Sequence, residues 1–256
     1  MAHDRASDVA SVFHLHSSNV RARTVDLTLD EDRRPFRFRS YPGAPRIVLP
    51  GRDHDGLDVP LGALLRRRAS NREFSTEATL PAESLGRLLF ASYGVHGERV
   101  IDGQRIHARP TPSAGSLYPI ELYVAVQRVE GVADGLYHYD ARAHELELRR
   151  AGAVQPQLAD MTIGQGMLTR ANVVVLMTAV FDRTMWKYKQ RGYRYVWLDA
   201  GHVGQNLYLV ADALGLGVVA VGGFYDAELA RLLALPDGEE AVVYLVCTGV
   251  RVSAAR

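Results

Sequence analysis

The stretch from Lys187 to Tyr195, KYKQRGYRY, packs four cationic side chains and three tyrosines into nine residues. Such a run has three chemical readings. Cations that meet phosphates and rings that stack on bases would grip single-stranded nucleic acid. A lysine or tyrosine lining an active site would take a proton from a substrate. The third reading is a charged, solvated loop. The whole chain weighs against the first. Lys+Arg total 30 and Asp+Glu total 29, a formal net charge of +1, whereas a dedicated nucleic-acid binder carries a clear basic excess. No nucleic-acid partner is expected.

Four other short segments carry residue types suited to holding one ligand. In RRRASNREF, Arg68, Ser70 and Arg72 leave a helical segment. Alternate residues of an extended chain face one side, and two guanidiniums with a hydroxyl make a phosphate site. A solvated basic helix end, where cations favour the C-terminal dipole, has the same composition. In PTPSAGSLYP, Ser113, Gly115 and Ser116 belong to a run of small residues that lets backbone N–H groups approach a flat or anionic ligand; a plain turn reads the same way. In GLGVVAVGGF, Val221, Gly222 and Gly223 close a strand and free its backbone for a ligand edge. That segment is not GxGxxG, so a nicotinamide Rossmann site is not supported. In TGVR, Arg251 ends the last strand, placed to join the phosphate site.

The elements that must position these groups follow from periodicity. The chain has 256 residues, 47% apolar and 23% charged, enough for a full core in one large domain or two small ones. Residues 1–56, rich in charge, Pro and Gly, read as an extended arm, and residues 57–256 as the ligand-binding domain. VPLGALLRRR and LPAESLGRLLFASYG read as helices, the second with Pro81 in its first turn and Gly94 at its end. IELYVAVQ alternates as a strand, GLYHYD and HELELRR follow as two more, and NVVVLMTAV reads as a central strand buried on both faces. A long helix is expected over DAGHVGQNLYLVADALGLG, capped by Asp199 and stopped by Gly215 and Gly217. Strands over GVVAVGGF and AVVYLVCTG flank the helix DAELARLLAL. The irregular order favours an α+β sandwich over a doubly wound sheet.

The single cysteine, Cys247, lies in an apolar run and reads as a buried thiol, so no internal disulfide forms. Nine histidines are scattered without metal spacing, and no metal site is expected. The polar start lacks a signal-peptide core, and no run approaches the ~20 apolar residues of a membrane span. A cytoplasmic protein without membrane attachment is expected.

Together, PSAGSLYPIELYV, GLYHYD, KYKQRGYRYVWLDAGHVGQNLYLVADALGLG and the arm segment YPGAPRIVLP resemble the FMN-dependent nitroreductase superfamily, most closely its azoline dehydrogenase branch of SagB-type oxidases. The resemblance covers roughly residues 41–251; Ala69 stands where the family commonly has a basic or polar residue. It implies a nitroreductase-like three-layer sandwich with a mostly antiparallel sheet, shared between domains of a homodimer, with FMN at the subunit interface. Arg68, Ser70, Arg72 and Arg251 would then serve the phosphate and ribityl chain, Ser113, Gly115 and Ser116 the isoalloxazine, and Val221, Gly222 and Gly223 its polar edge. Gln205 and Asn206 would lie on the interface helix, where helix–helix hydrogen bonding is an equal reading. The matching Lys-Tyr pair is catalytic in the azoline dehydrogenases, so the resemblance implies that Lys187 and Tyr188 supply the base; a pair that only shapes the pocket or binds the peptide is the alternative. Crowding by Lys189, Arg191 and Arg194, with partial burial beside the flavin, is expected to push the pKa of both groups down. The implied reaction oxidises peptide thiazolines or oxazolines to azoles, with oxygen reoxidising the flavin, after a cyclodehydratase that the enzyme would dock with. An NAD(P)H-dependent nitro- or quinone reductase, or a non-catalytic flavoprotein scaffold, are the alternatives.

Overall fold

The computed structural model describes residues 9–19, 29–101 and 103–252. Parts of the arm, residues 1–8 and 20–28, lie outside the described residues. In chain order the elements are α1 (Val9–His16), β1 (Arg46–Val48), α2 (Leu61–Arg67), α3 (Ala82–Tyr93), β2 (Gly97–Ile101), β3 (Gln104–Ala108), β4 (Ile120–Val126), β5 (Gly135–Asp140) and β6 (Glu145–Ala151). They continue as α4 (Gln155–Asp160), β7 (Val173–Val180), α5 (Phe181–Ala213), β8 (Gly217–Val221), α6 (Asp226–Leu233) and β9 (Glu240–Gly249). Among the described residues no helix is long and apolar enough to cross a membrane.

Seven strands form one sheet in the order β1-β6-β5-β4-β7-β9-β8, with antiparallel neighbours throughout. Residue parity sorts β4 and β7 into two cores. Ile120, Leu122, Val124 and Val126 join Val173, Val175 and Met177 against Leu85, Leu88 and Leu89 of α3 and Val196, Ala200, Val203 and Leu207 of α5. Tyr123, Ala125, Val174 and Leu176 face the other way, onto Leu158 of α4 and Leu229 and Leu233 of α6. Helices therefore cover both faces, and the fold is the expected α+β three-layer sandwich. Each fully buried Val, Leu, Ile or Met among them stabilises by about 1.5–3 kcal/mol, so β4 and β7 are the rigid centre from which the site is hung. Cys247 lies fully buried in the second core, where desolvation pushes its thiol up to about 12.

The arm packs on the body. Strand β1 is an edge of the main sheet, the Arg39 N–H donates to Glu121 (3.0 Å), and the Tyr41 N–H donates to Glu147 (3.2 Å). Between those two carboxylates sits the fully buried His138, 3.1 Å from Glu121 and 2.9 Å from Glu147. Burial opposes a charge on His138, but the two carboxylates prevail and raise its pKa to about 9. Burial likewise opposes charge on Glu121; Arg183 and His138 prevail and hold it at about 2.

One expectation is corrected. The long helix does not start at Asp199. It starts at Phe181, directly after β7, and the KYKQRGYRY run lies inside it. The helical path breaks once, at Lys189 (φ 50°, ψ −140°). At that break the chain folds closely enough that a Cβ on Gly192 would lie 2.9 Å from the Met185 Cα and the Thr184 carbonyl oxygen. The glycine inside the run is thus a steric requirement of the break. Beyond it, cations and rings pair at helical spacing, Arg191 over Tyr195 and Tyr193 beside Trp197.

Candidate functional site

Lys187 and Tyr188 close the segment before the break and converge on the loop that precedes β4. At Gly115 (φ 61°) a Cβ would meet Tyr188 Oη at 2.8 Å and Lys187 Nζ at 3.4 Å. The conformation is one that side-chain-bearing residues avoid, and only hydrogen fits beneath the two functional groups. Ser116 follows with φ 53°. Lys187 Nζ lies 5.6 Å from the Tyr188 ring centroid, and Tyr195 packs edge-on to that ring at 5.1 Å.

Asp199 holds the loop from the second part of α5. Its carboxylate accepts from Ser113 Oγ at 2.5 Å and from the Ala114 N–H, and Ser113 Oγ accepts in turn from the Tyr118 N–H at 2.9 Å. Burial pushes the Asp199 carboxyl up to about 6 in spite of those two hydrogen bonds. A cavity of about 300 Å³ opens between Ser113, Ala114, Tyr195, Leu198, Asp199 and His202. The expected easing of deprotonation is corrected at Tyr188. Burial first, then Tyr195 and Asp199, push its phenol above the usual tyrosine range, so it is a neutral O–H donor at pH 7. The reason is burial itself, the largest cause, which disfavours the charged phenolate.

The second group of expected residues lies elsewhere on α5. Ser70 Oγ is 3.0 Å from Tyr208 Oη, which accepts from the Ala220 N–H at 2.8 Å, and Arg68 lies over the Tyr208 ring at 5.4 Å. Arg251 does not point at an open anion site. It donates to Asp212 at 2.8 Å, and Arg67 reaches the same carboxylate at 2.5 Å. Burial would raise Asp212, but the two guanidiniums overcome it and hold its pKa below the usual range. Arg72 is exposed, its carbonyl accepting from Arg170 at 3.4 Å. Val221 is buried, while Gly222 is exposed, with no atom within 4 Å of where its Cβ would stand; Gly223 accepts from the Ile163 N–H at 2.9 Å. Hydroxyls, Arg68 and an open backbone beside Gly222 suit a phosphate and the polar edge of a flat ring.

The two groups do not converge within one chain. Asp199 and Tyr208 are nine residues apart, about 2.5 turns, so they leave opposite flanks of α5 and the helix stands between them. Asn206 donates to the Ser92 carbonyl (3.2 Å) and Thr111 (3.1 Å), a helix-packing role, while Gln205 is exposed. Among the described residues no group of three or more His, Cys, Asp or Glu is placed to hold a metal ion.

The nitroreductase family model matches residues 65–250. The chain belongs to the nitroreductase family. It is 38% identical over 180 residues to MJ1384, a nitroreductase-like protein of Methanocaldococcus jannaschii, covering 70% of this chain and 87% of that one. Its homologues include two peptide-processing proteins. The trifolitoxin-processing protein TfxB of Rhizobium leguminosarum is 29% identical over 75% of this chain and 53% of its own length. The microcin B17-processing protein McbC of Escherichia coli is 30% identical over 50% of this chain and 48% of its own. The chain thus spans about half the length of these two relatives. Among solved structures, a nitroreductase homologue from Anabaena variabilis superposes with TM-score 0.76 at 27% identity, covering 93% of this chain and 45% of that one. The E. coli microcin synthetase McbBCD complex with truncated pro-MccB17 bound contains the same fold, with TM-score 0.62 at 21% identity, over 96% of this chain and 92% of the matched one.

Asp199, Tyr208 and Asp212 contact the candidate residues Ser113, Ser70 and Arg251, and Arg67 shares Asp212, roles that sequence reasoning did not assign. The signal for Asp199 was its helical spacing from Tyr195 and His202, which sets all three on one flank.

Proposed function

We propose that this chain is an FMN-dependent azoline dehydrogenase, oxidising thiazoline or oxazoline rings of a peptide to the aromatic azoles. The observation that carries the reading is the convergence of Lys187 Nζ and Tyr188 Oη on Gly115. A reductase that only shuttles electrons between two small molecules needs no such pair, whereas azoline oxidation must remove a proton from the carbon beside a carbonyl. FMN, when bound, supplies the acceptor for the two electrons that leave the ring as hydride. Lys187 takes the proton, and Tyr188, whose phenol stays neutral, donates a hydrogen bond that orients the peptide. Ser113, Gly115 and Ser116 line the flat face of the ring system. Arg68, Ser70 and Arg72 serve the phosphate with Arg251 behind them, and Val221, Gly222 and Gly223 serve the polar edge.

The active unit is a homodimer. One copy's Lys187 flank and the other's Arg68 flank jointly enclose the flavin, which accounts for two ligand-binding halves on opposite sides of one helix. Similarity to TfxB and McbC, both peptide-processing proteins, supports a peptide substrate. The presence of this fold in a synthetase complex with a pro-peptide bound supports docking with a cyclodehydratase. The protein acts in the cytoplasm, where such substrates are made.

The test is anaerobic rapid mixing of FMN-loaded protein with a synthetic thiazoline peptide. Bleaching of the flavin by the peptide, and not by NADH or NADPH, is the expected result. The 38% identity to MJ1384 favours a second reading, an NAD(P)H-dependent nitro- or quinone reductase; bleaching by a nicotinamide alone would select it. Heat-released cofactor should be FMN, and recovery of FAD would overturn the phosphate assignment.

A further inference from the structure

The hairpin β2–β3 pairs with no strand of the main sheet. It overhangs the loop that carries Ser113 and Ser116 and encloses with it a cavity of about 460 Å³, lined by His96, Arg99, Arg109, Ser113, Ser116 and Tyr118 among others. That volume is in the range of ligand pockets. Neither Lys187 nor Tyr188 lines it, yet it shares Ser113 and Ser116 with the loop on which they converge.

Its charge is one-sided. Among the described residues no carboxylate lines it. Glu98 of β2 is turned to Arg105 (3.5 Å) and His107 (4.0 Å), which leaves Arg99 and Arg109 without an acid among the described residues. Arg109 is held by rings instead, with Tyr93 at 4.3 Å, Tyr118 at 4.9 Å and Phe38 at 5.3 Å from its guanidinium carbon. Its Nε is buried without a hydrogen-bond partner. An aromatic cage fixes a guanidinium in place without neutralising it. His107, beside the cavity, reports the same field: burial, then Arg109, Arg37 and Arg142, lower its pKa against Glu98. His96 is also held low, by burial and by His54 and Arg52, so the fixed charge at pH 7 comes from arginine.

We propose that this cavity is a substrate subsite for a carboxylate, an Asp or Glu side chain of the peptide close to the reacting ring. The inference rests on the peptide reading above and names the peptides the site prefers: acidic ones. Arg99, exposed on the hairpin, meets the carboxylate first, and Arg109 holds it beside the loop. An arginine-based subsite keeps its preference from pH 6.5 upward, where a histidine-based one would lose it.

The experiment uses FMN-loaded protein and synthetic thiazole peptides, the oxidised products, so that binding is read without turnover. The peptides differ only in carrying Asp, Asn or Lys at one position within four residues of the ring. Fluorescence anisotropy should show the Asp peptide binding roughly tenfold or more tightly than its Asn twin at one position at least. The preference should shrink with added salt, stay level between pH 7 and 8.5, collapse in Arg99→Gln and recover in part in Arg99→Lys. Equal binding of Asp and Asn peptides at every position would overturn the inference, as would an intact preference in Arg99→Gln. Loss of FMN affinity in Arg99→Gln would also overturn it, by giving the cavity to the cofactor's phosphate. Failure of the dehydrogenase reading is a separate result, the absence of flavin bleaching by any thiazoline peptide.

Discussion

Asp199 and Ser113 are joined by a 2.5 Å hydrogen bond between a buried carboxylate and a hydroxyl, and this contact ties the Ser113–Ser116 loop to the longest helix. Because the carboxyl is raised to about 6 in the folded protein, against about 3.9 in an unfolded chain, the folded state binds its proton more tightly. The associated stability is fully present below about pH 4 and is lost as the pH rises through 6. Asp199→Asn cannot ionise and should escape that loss. Its stability relative to wild type should improve by up to about 3 kcal/mol between pH 4 and 7. Thermal unfolding across that range measures it, and a pH-independent difference would contradict the assigned burial.

Lys187→Ala and Tyr188→Phe should each cut azoline turnover ~10²–10⁴-fold while the flavin spectrum and the dimer stay intact. Since the Tyr188 phenol is pushed above the usual range, the Tyr188→Phe deficit should be the same at pH 6 and pH 9. A deficit confined to high pH would return the base to Tyr188.

Leu198 is 58% exposed and Trp197 44%, adjacent apolar side chains on the outward side of α5. Such a patch on a long helix marks a contact surface. Leu198→Asp should convert the protein to a monomer by light scattering, and FMN should be lost with the dimer because neither flank holds it alone. A monomer that retains the flavin would refute the two-copy site.

His138, between Glu121 and Glu147, is raised to about 9. The stability it contributes is complete below about pH 6.5 and disappears as the pH climbs through 9. His138→Leu should destabilise the fold by removing the charged hydrogen-bond partner that Glu121 and Glu147 share, although Arg183 and Arg46 still pair with them. Urea midpoints of wild type should fall between pH 8 and 10, and those of the variant should not.

The centre of the sheet and helix α3 were legible because β4 alternates with a period of two, β7 is an unbroken apolar run and α3 repeats at 3.6. The first third of α5 was not. Its charged and aromatic residues show no apolar stripe, and its break at Lys189 is imposed by packing of Gly192 on Thr184 and Met185. The β2–β3 hairpin was overlooked although Asp102-Gly103 is a strong turn signal, since the flanking residues are too polar to read as strands. The candidate residues stand out in the sequence as types, but their division between two flanks of one helix depends on which loops dock where. Local sequence does not encode that. Asp212 is the plainest case: Arg67 and Arg251, 184 positions apart in the chain, meet on it only after folding.

Arg183 is buried at the start of α5, donating to the Phe36 carbonyl at 2.9 Å, to the Tyr118 carbonyl at 3.1 Å and to the Glu121 carboxylate. It therefore couples three stretches of chain that evolution or an engineer would otherwise treat as separate parts. The segment around Phe36 looks like a dispensable approach to the domain, yet it shares one guanidinium with the reactive loop and with the turn that carries Lys187. A chimaera that grafts a relative's arm onto this body inherits a mismatched joint unless positions 36, 118, 121 and 183 travel together, and the defect would surface as misaimed chemistry in a protein that still folds.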